Sequence, residues 1–498
     1  MKNRRTLINT LSSLLLQIVT IVSGFIIPRL LLKSFGSEVN GLISSLNQFL
    51  NYITLVEGGL NAVILASLYK PLSQNDENKI NSIISAADRF YKKISLIFIV
   101  YTVILGTVYP LLVKNSFGWS YIFSLTLILS INLFSQYCFS ITWRTFLKAD
   151  KKVYVVSIVQ ITCIIINTIG VAILINIYPN VHIVKLFSAL IYLLQPLIFN
   201  LYVKKKYKIN KKTEPDKQAL AQRWDGLGIN IAAFIHNNTD VVILTLLADL
   251  KSVSIYSVYY LVTTGLKNLI TSISGGIVPT LGHAYAESNS EKLNKIFDRY
   301  ELIIYIATFL LFVLGGILIT PFVMIYTKGI YDANYYQPIL GWIMVLAEFA
   351  FCIREPYVNM AYVANKFKEV SKYAYIEAGI NIVLSTILVI KFGIIGVAIA
   401  MIYRTLANMI YLQKNILYRD IKKTLKRLLV FIVSSGVIII LSKLLFSMEE
   451  VSILGWIIYA IKNTILALAA YGITILIFYR KQIELIINKR GKINETTK

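Results

Sequence analysis

Residues 119–177 read WSYIFSLTLILSINLFSQYCFSITWRTFLKADKKVYVVSIVQITCIIINTIGVAILINI. Two apolar runs, 119–147 and 154–177, flank a short charged joint, Lys148-Ala149-Asp150-Lys151-Lys152. Each run exceeds the roughly 20 residues that an α-helix needs to cross the hydrocarbon core of a bilayer. The joint is too short to fold alone and too polar to enter lipid. Apolar run followed by basic joint is the unit from which the whole chain is built. It predicts helices near 6–32, 39–68, 93–113, 119–147, 154–177, 182–203, 226–248, 252–281, 299–322, 338–362, 373–391, 393–416, 428–446 and 452–479.

Composition agrees. Of 498 residues, 56% are hydrophobic and 15% charged, against about 25% charged in soluble domains. Soluble domains totalling this length would need far more surface charge. The formal charge of +25 does not mark a nucleic-acid-binding surface, because the basic residues form no single stripe. They sit in short clusters between apolar runs, such as Lys204-Lys205-Lys206, Lys422-Lys423 with Lys426-Arg427, and Arg480-Lys481. With the N-terminus inside, the inside segments hold about 38 of the 50 basic residues and the outside loops about five. That is the Lys/Arg bias of cytoplasmic loops. Both termini are therefore expected in the cytoplasm.

The start, Lys2-Asn3-Arg4-Arg5 followed by Thr6–Ile27, ends in Pro28-Arg29 without a small-residue cleavage site. It reads as a retained first helix rather than a signal peptide. Cys138, Cys163 and Cys352 are too few and too far apart for a disulfide framework or a zinc site, and read as small buried hydrophobes.

Weak matches recur at a shared offset of about 211–217 residues. Gly58-Gly59 is answered by Gly275-Gly276, Lys148-Ala149-Asp150-Lys151 by Val363-Ala364-Asn365-Lys366, and Ile191-Tyr192 by Ile402-Tyr403. The fold class expected is an all-α polytopic membrane protein of about 14 transmembrane helices, with two six-helix lobes in a parallel pseudo-repeat plus two C-terminal helices. The lobes are expected at 1–210 and 226–417, with a cytoplasmic linker at 211–225 and the last two helices and tail at 418–498.

Ionisable residues near mid-span are costly and usually functional. They are Glu57, Asp240, Lys267, Glu348, Arg354, Glu355, Arg404 and Lys462, with His236 one turn before Asp240. Polar stripes accompany them: Ser13, Gln17, Thr20 and Gly24; Asn47, Asn51, Thr54 and Asn61; Tyr260, Thr264, Lys267, Thr271 and Ser274. Each set shares a helix face, as the lining of a hydrated cavity would. The structural alternative is that Glu348, Arg354 and Glu355 neutralise one another within their helix, and that Ser and Thr act as helix–helix glue. Lys267 and Arg404 have no obvious partner on their own helices. No P-loop, H-E-x-x-H, G-x-S-x-G or helix-entering G-x-G-x-x-G occurs. Neither enzymatic chemistry nor a cofactor or metal is expected, and transport would draw on an ion gradient or the membrane potential.

Three passages resemble the Wzx-type polysaccharide flippases of the MOP exporter superfamily, relatives of MurJ and the MATE exporters. They are Ile27-Pro28-Arg29-Leu30 through Gly36-Ser37-Glu38 to Asn40-Gly41-Leu42; Leu55-Val56-Glu57-Gly58-Gly59-Leu60 with Tyr69-Lys70-Pro71-Leu72; and Asn238-Thr239-Asp240-Val241-Val242-Ile243-Leu244 with Val253-Ser254-Ile255-Tyr256-Ser257. Ser254 departs from the family, which often has glycine there. The resemblance implies export of an undecaprenyl-pyrophosphate-linked oligosaccharide across the bacterial plasma membrane by alternating access, in capsule or exopolysaccharide synthesis, alongside a glycan polymerase and other biosynthesis proteins. Under it, Lys267, Arg354, Arg404 and Arg29 are candidates for the diphosphate, and Asn51 and Tyr260 for sugars. Asp240, His236 and Glu57 are candidates for a coupling H+ or Na+. A MATE-like multidrug exporter and a lipid II flippase remain alternatives, and a membrane polymerase or ligase is a more distant one.

Overall fold

The computed structural model describes residues 2–480 except 58–59, 115, 212, 217–226, 288–289, 365, 413–420 and 449–450. Every regular element described is helical. In chain order these are α1 (Lys2–Leu50), a 3-10 turn (Asn51–Ile53), α2 (Thr54–Glu57), α3 (Leu60–Gln74), α4 (Glu77–Leu112) and α5 (Trp119–Ser135). A π-helical turn (Gln136–Ser140) leads to α6 (Ile141–Ala149), α7 (Val153–Ile177), α8 (Val181–Lys206) and α9 (Leu227–Leu247). Then come α10 (Leu250–Ala286), α11 (Ser290–Tyr326), α12 (Pro338–Val363), α13 (Phe367–Phe392), α14 (Ile394–Tyr411), α15 (Ile421–Leu445) and α16 (Ile453–Phe478).

Divide α1 at its kink, take its second half with α2 and α3 as one passage, and take α5 with α6 as another. The described chain then makes fourteen helical passages, in register with the fourteen ranges expected. Helix starts and ends repeat along the chain. Glu77 answers Ser290, Ala149 answers Val363, Val153 answers Phe367, and Val181 answers Ile394, each 213 or 214 residues apart. Nine described helices are long and apolar enough to cross a membrane by length and composition. α12 falls short of that measure because Glu348, Arg354 and Glu355 sit at its middle, which is the signature of an interior helix rather than a lipid-facing one.

α7 shows how lipid and protein divide a helix. Val155, Val156, Val159, Cys163 and Val171 are buried, while Ile158, Ile165, Ile169 and Ile173 are exposed on the other side. Water does not tolerate exposed apolar stripes of this extent, whereas lipid tails solvate them. The chain is a multi-pass membrane protein.

The chain forms two compact units, residues 1–257 with 329–333, and residues 258–328 with 334–498. In the first, the helix boundary expected near 33–38 is a kink at Gly36, where φ is +81° and ψ 176°. Glycine alone adopts this conformation without strain. The helix restarts at Ser37, whose N–H and hydroxyl both donate to the Asp332 carboxylate, at 2.7 and 2.6 Å. Asp332 thus acts as an N-cap from the far side of the sequence. One turn on, Gly41 lets α1 meet the start of α10: a Cβ there would lie 1.8 Å from the Leu250 carbonyl oxygen. Beside it, the Asn40 amide donates to Ser254 Oγ at 2.8 Å in the buried interior. Ser254, unusual against the resembled family, has its own partner here.

Candidate functional site

In the first unit the helical course is interrupted at residues 51–57. Asn51 opens the 3-10 turn, and Glu57 ends the short α2. Glu57 is half-buried and receives hydrogen bonds from Tyr91 Oη on α4 at 3.4 Å and from Tyr137 Oη at 3.3 Å. Tyr137 lies in the π-helical turn between α5 and α6. Such turns re-aim side chains and recur at functional sites. Arg144 on α6 acts electrostatically on Glu57 and donates to Gln136 Oε1 at 3.4 Å. Four positions after Glu57 in sequence, Asn61 accepts a hydrogen bond from Thr145. The result is a carboxylate ringed by two phenols and a guanidinium.

Asp240 occupies a separate place in the same unit. It is buried on α9 and accepts from Tyr256 Oη at 2.9 Å. Gln48 of α1 donates to Asn238, two residues earlier on the same helix. The side chain of His236 lies outside the described residues. Arg29 is half-buried on α1.

The second unit holds the densest set of buried charges. Lys267 on α10, 6% exposed, donates to Glu348 Oε1 on α12 at 3.0 Å. Arg354, one and a half turns further along α12, reaches both oxygens of Glu377 on α13 through Nη1, at 3.1 and 2.9 Å. Phe351 lies between the two cations, its ring centre 5.2 Å from Lys267 Nζ and 4.9 Å from the Arg354 guanidinium carbon. Tyr260 lies 5.7 Å from Lys267 Nζ. Glu355 accepts from the Asn359 amide at 3.3 Å, and that amide also reaches Ser274 Oγ and Tyr300 Oη. Glu348 Oε2 and Arg354 Nε find no hydrogen-bond partner among the described residues. Unsatisfied charged atoms in a buried interior are costly.

A second buried knot ties α15 to α11 and α12. Arg427 pairs with Glu301, and the same carboxylate takes hydrogen bonds from Tyr357 and Thr424, while Tyr305 Oη meets Tyr357 Oη at 2.9 Å. Its acid and base are both satisfied, as a structural brace requires.

Arg29, Asn51, Glu57 and Asp240 therefore belong to the first unit, and Tyr260, Lys267 and Arg354 to the second. Arg404 also falls in the second, with its side chain outside the described residues. Lys267 faces the Tyr260 ring on its own helix and finds Glu348 on another. Glu348, Arg354 and Glu355 do not simply neutralise one another within α12, since the first two are paired to α10 and α13. Sequence reasoning passed over Glu377, Glu301, Arg427, Tyr91, Tyr137 and Arg144.

No protein-family model matches the sequence, and no curated protein matches it. Solved structures do match. The lipid II flippase MurJ, in an inward closed conformation, is 16% identical with a TM-score of 0.76, over 94% of this chain and 100% of that one. An inward-facing multidrug resistance MATE family transporter of the MOP superfamily is 13% identical with a TM-score of 0.62, over 79% of this chain and 92% of that one. A MOP superfamily transporter from Pyrococcus furiosus, described as having a binding pocket of reverse polarity, is 12% identical with a TM-score of 0.51, over 82% and 92%. At these identities the likeness is one of fold: this chain has the fold of MOP superfamily transporters.

Proposed function

We propose that this chain is a flippase that moves an undecaprenyl-pyrophosphate-linked oligosaccharide from the inner to the outer leaflet of a bacterial plasma membrane, coupled to H+ or Na+. The observation that carries the reading is the pair of membrane-buried cations, Lys267 and Arg354, flanking Phe351. In a low-dielectric interior a fixed cation attracts a diphosphate strongly. Here each cation rests on a carboxylate, so the diphosphate has to replace one. A proton or sodium ion on Glu348 would neutralise it and release Lys267 to the anion. Asp240 and Glu57 are further candidates for the ion, Arg404 and Arg29 for the diphosphate, and Tyr260 and Asn51 for the sugars. The likeness to a lipid II flippase over nearly the whole chain supports a lipid-linked substrate.

One observation favours a second reading, an ion-coupled exporter of organic cations. Around Phe351 three carboxylates, Glu348, Glu355 and Glu377, face two cations. Complementation of a flippase-deficient strain separates the two readings. Lys267→Ala is expected to abolish it and Lys267→Arg to keep part, since a guanidinium preserves charge but changes donor geometry. Full complementation by Lys267→Ala, or stronger export of cationic dyes by it, would turn the assignment to the exporter.

A further inference from the structure

Beyond the transport path, the end of α8 builds a cavity that no step above uses. Its volume is about 720 Å³, and Trp143, Asn200, Lys204, Tyr207, Lys208 and Lys211 line it. Ligand pockets commonly span roughly 300–1,000 Å³. The local sequence explains the shape. α8 ends in Lys204, Lys205 and Lys206, and at Tyr207 the backbone becomes extended. The chain then folds back as a strap under α4. Asn210 N–H donates to Asn81 Oδ1 at 3.1 Å, and Ser85 Oγ donates to the carbonyls of Lys211 and Thr213, at 3.0 and 2.8 Å. Lys79 pairs with Asp216 at 2.7 Å. The wall is therefore pinned.

Charge inside the cavity is one-sided. Lys211 lies 4.2 Å over the Trp143 ring and is met by Asp88, which also holds Lys92 at 2.8 Å. The nearby Asp150 is engaged by Tyr207 Oη and by Lys152. Burial, and then the Asp150 carboxylate itself, push the Tyr207 hydroxyl far above the ordinary phenol range. It stays a donor to Asp150 at any physiological pH. Lys204 and Lys208 make no ion pair among the described residues. No acidic side chain is among the described residues that line the cavity.

The cavity also has an apolar approach. Leu190, Leu194, Leu197 and Leu201 are exposed along α8 at steps of four, three and four, a spacing that keeps them on one face. Lys204 continues the same row. A hydrocarbon chain lying on that stripe ends at the two lysines and the Trp143 ring. A free inorganic anion has no use for the stripe, and a lipid has use for both. We propose that this cavity binds the phosphate of an anionic membrane-lipid headgroup, with its acyl chain along the leucine stripe of α8.

The test uses the purified full-length protein in lipid nanodiscs, with thermal stability and lipid retention by native mass spectrometry as readouts. Nanodiscs of phosphatidylcholine alone are compared with ones doped with phosphatidylglycerol, and inorganic phosphate is added in a third arm. The wild type is expected to retain phosphatidylglycerol and to melt higher with it, and phosphate alone is expected to do neither. A basic residue near an anionic headgroup is worth about fivefold in affinity. Lys204→Gln/Lys208→Gln is therefore expected to bind at least about tenfold more weakly, with its melting in phosphatidylcholine unchanged. Lys205→Gln/Lys206→Gln removes equal charge outside the lining and is expected to weaken binding clearly less than Lys204→Gln/Lys208→Gln. Equal retention by Lys204→Gln/Lys208→Gln, equal loss in the Lys205→Gln/Lys206→Gln control, or full stabilisation by phosphate alone would overturn the assignment.

Discussion

Lys267 Nζ donates to Glu348 Oε1 at 3.0 Å, joining α10 to α12 through two side chains that are both buried. Removing one member of such a pair leaves an uncompensated charge and costs about 3–5 kcal/mol, whereas replacing both by apolar residues of similar size is often neutral. Lys267→Met and Glu348→Leu are each expected to lower the melting temperature of the detergent-solubilised protein. The double variant is expected to recover most of the loss and still fail to complement a flippase-deficient strain. A double variant that complements would make the pair a brace only.

The sequence carries the helical passages because each is a long apolar run closed by basic residues, as at Lys148–Lys152. It carries the mid-membrane charges for the same reason: Lys267 and Arg354 stand out against an apolar background. It does not carry their partners. Glu348 is 81 positions from Lys267 and Glu377 is 23 from Arg354, and helical periodicity says nothing about which faces of two helices meet. Glu301 and Arg427 fall at the edges of the expected helices 299–322 and 428–446, where charge normally means a solvated loop, whereas the structure buries both within α11 and α15. The expected helices leave 33–38 as a gap rather than a kink at Gly36, since nothing near it in sequence reveals that Asp332 caps the restart.

That cap yields a second prediction. Hydrogen bonds to a charged group contribute about 1.5–3 kcal/mol, so Asp332→Ala is expected to destabilise the first unit by roughly that amount. Gly36→Ala forces a side chain into a conformation costing about 1–3 kcal/mol, and its Cβ would lie 2.9 Å from Asp332 Oδ2. Both variants are expected to melt lower in detergent. Unchanged melting of Gly36→Ala would mean that the kink is not held in solution.

The brace between Arg427 and Glu301 is expected to behave as structure rather than as site. Glu301→Ala leaves Arg427 buried and Tyr357 and Thr424 without their acceptor. A loss of about 3–5 kcal/mol is expected, read as reduced yield of folded protein. Whatever protein folds should transport normally per molecule. A well-folded variant with no transport would move this knot into the functional site.

Orientation is open to direct labelling. Lys205, Lys422 and Asn334 are exposed, and the basic-loop bias puts the two lysines inside. In a background lacking the three native cysteines, single cysteines at Lys205 and Lys422 should react with a membrane-impermeant thiol reagent only after permeabilisation. A cysteine at Asn334 should react in intact cells. Labelling at Lys205 from outside would reverse the topology.

Asp240 gives the last prediction, on ion coupling. The residue is 4% exposed and its carboxylate accepts from Tyr256 Oη at 2.9 Å. An ionisable group held at mid-membrane is costly unless it is used. Asn has nearly the same shape and keeps an oxygen for Tyr256, so Asp240→Asn removes the charge and the exchangeable proton while disturbing packing little. Its level in the membrane is expected to match wild type, while the transport rate falls at least about tenfold, equivalent to about 1.4 kcal/mol of barrier. Tyr256→Phe keeps the carboxylate and removes one donor to it, so its loss should be smaller, and it should shift the ion or proton concentration at which transport is half-maximal. A structural role would give the opposite pattern, with both variants poorly folded and the surviving protein coupled as before. Transport of the Asp240→Asn protein at the wild-type rate, at every pH and sodium concentration tried, would remove Asp240 from the coupling machinery.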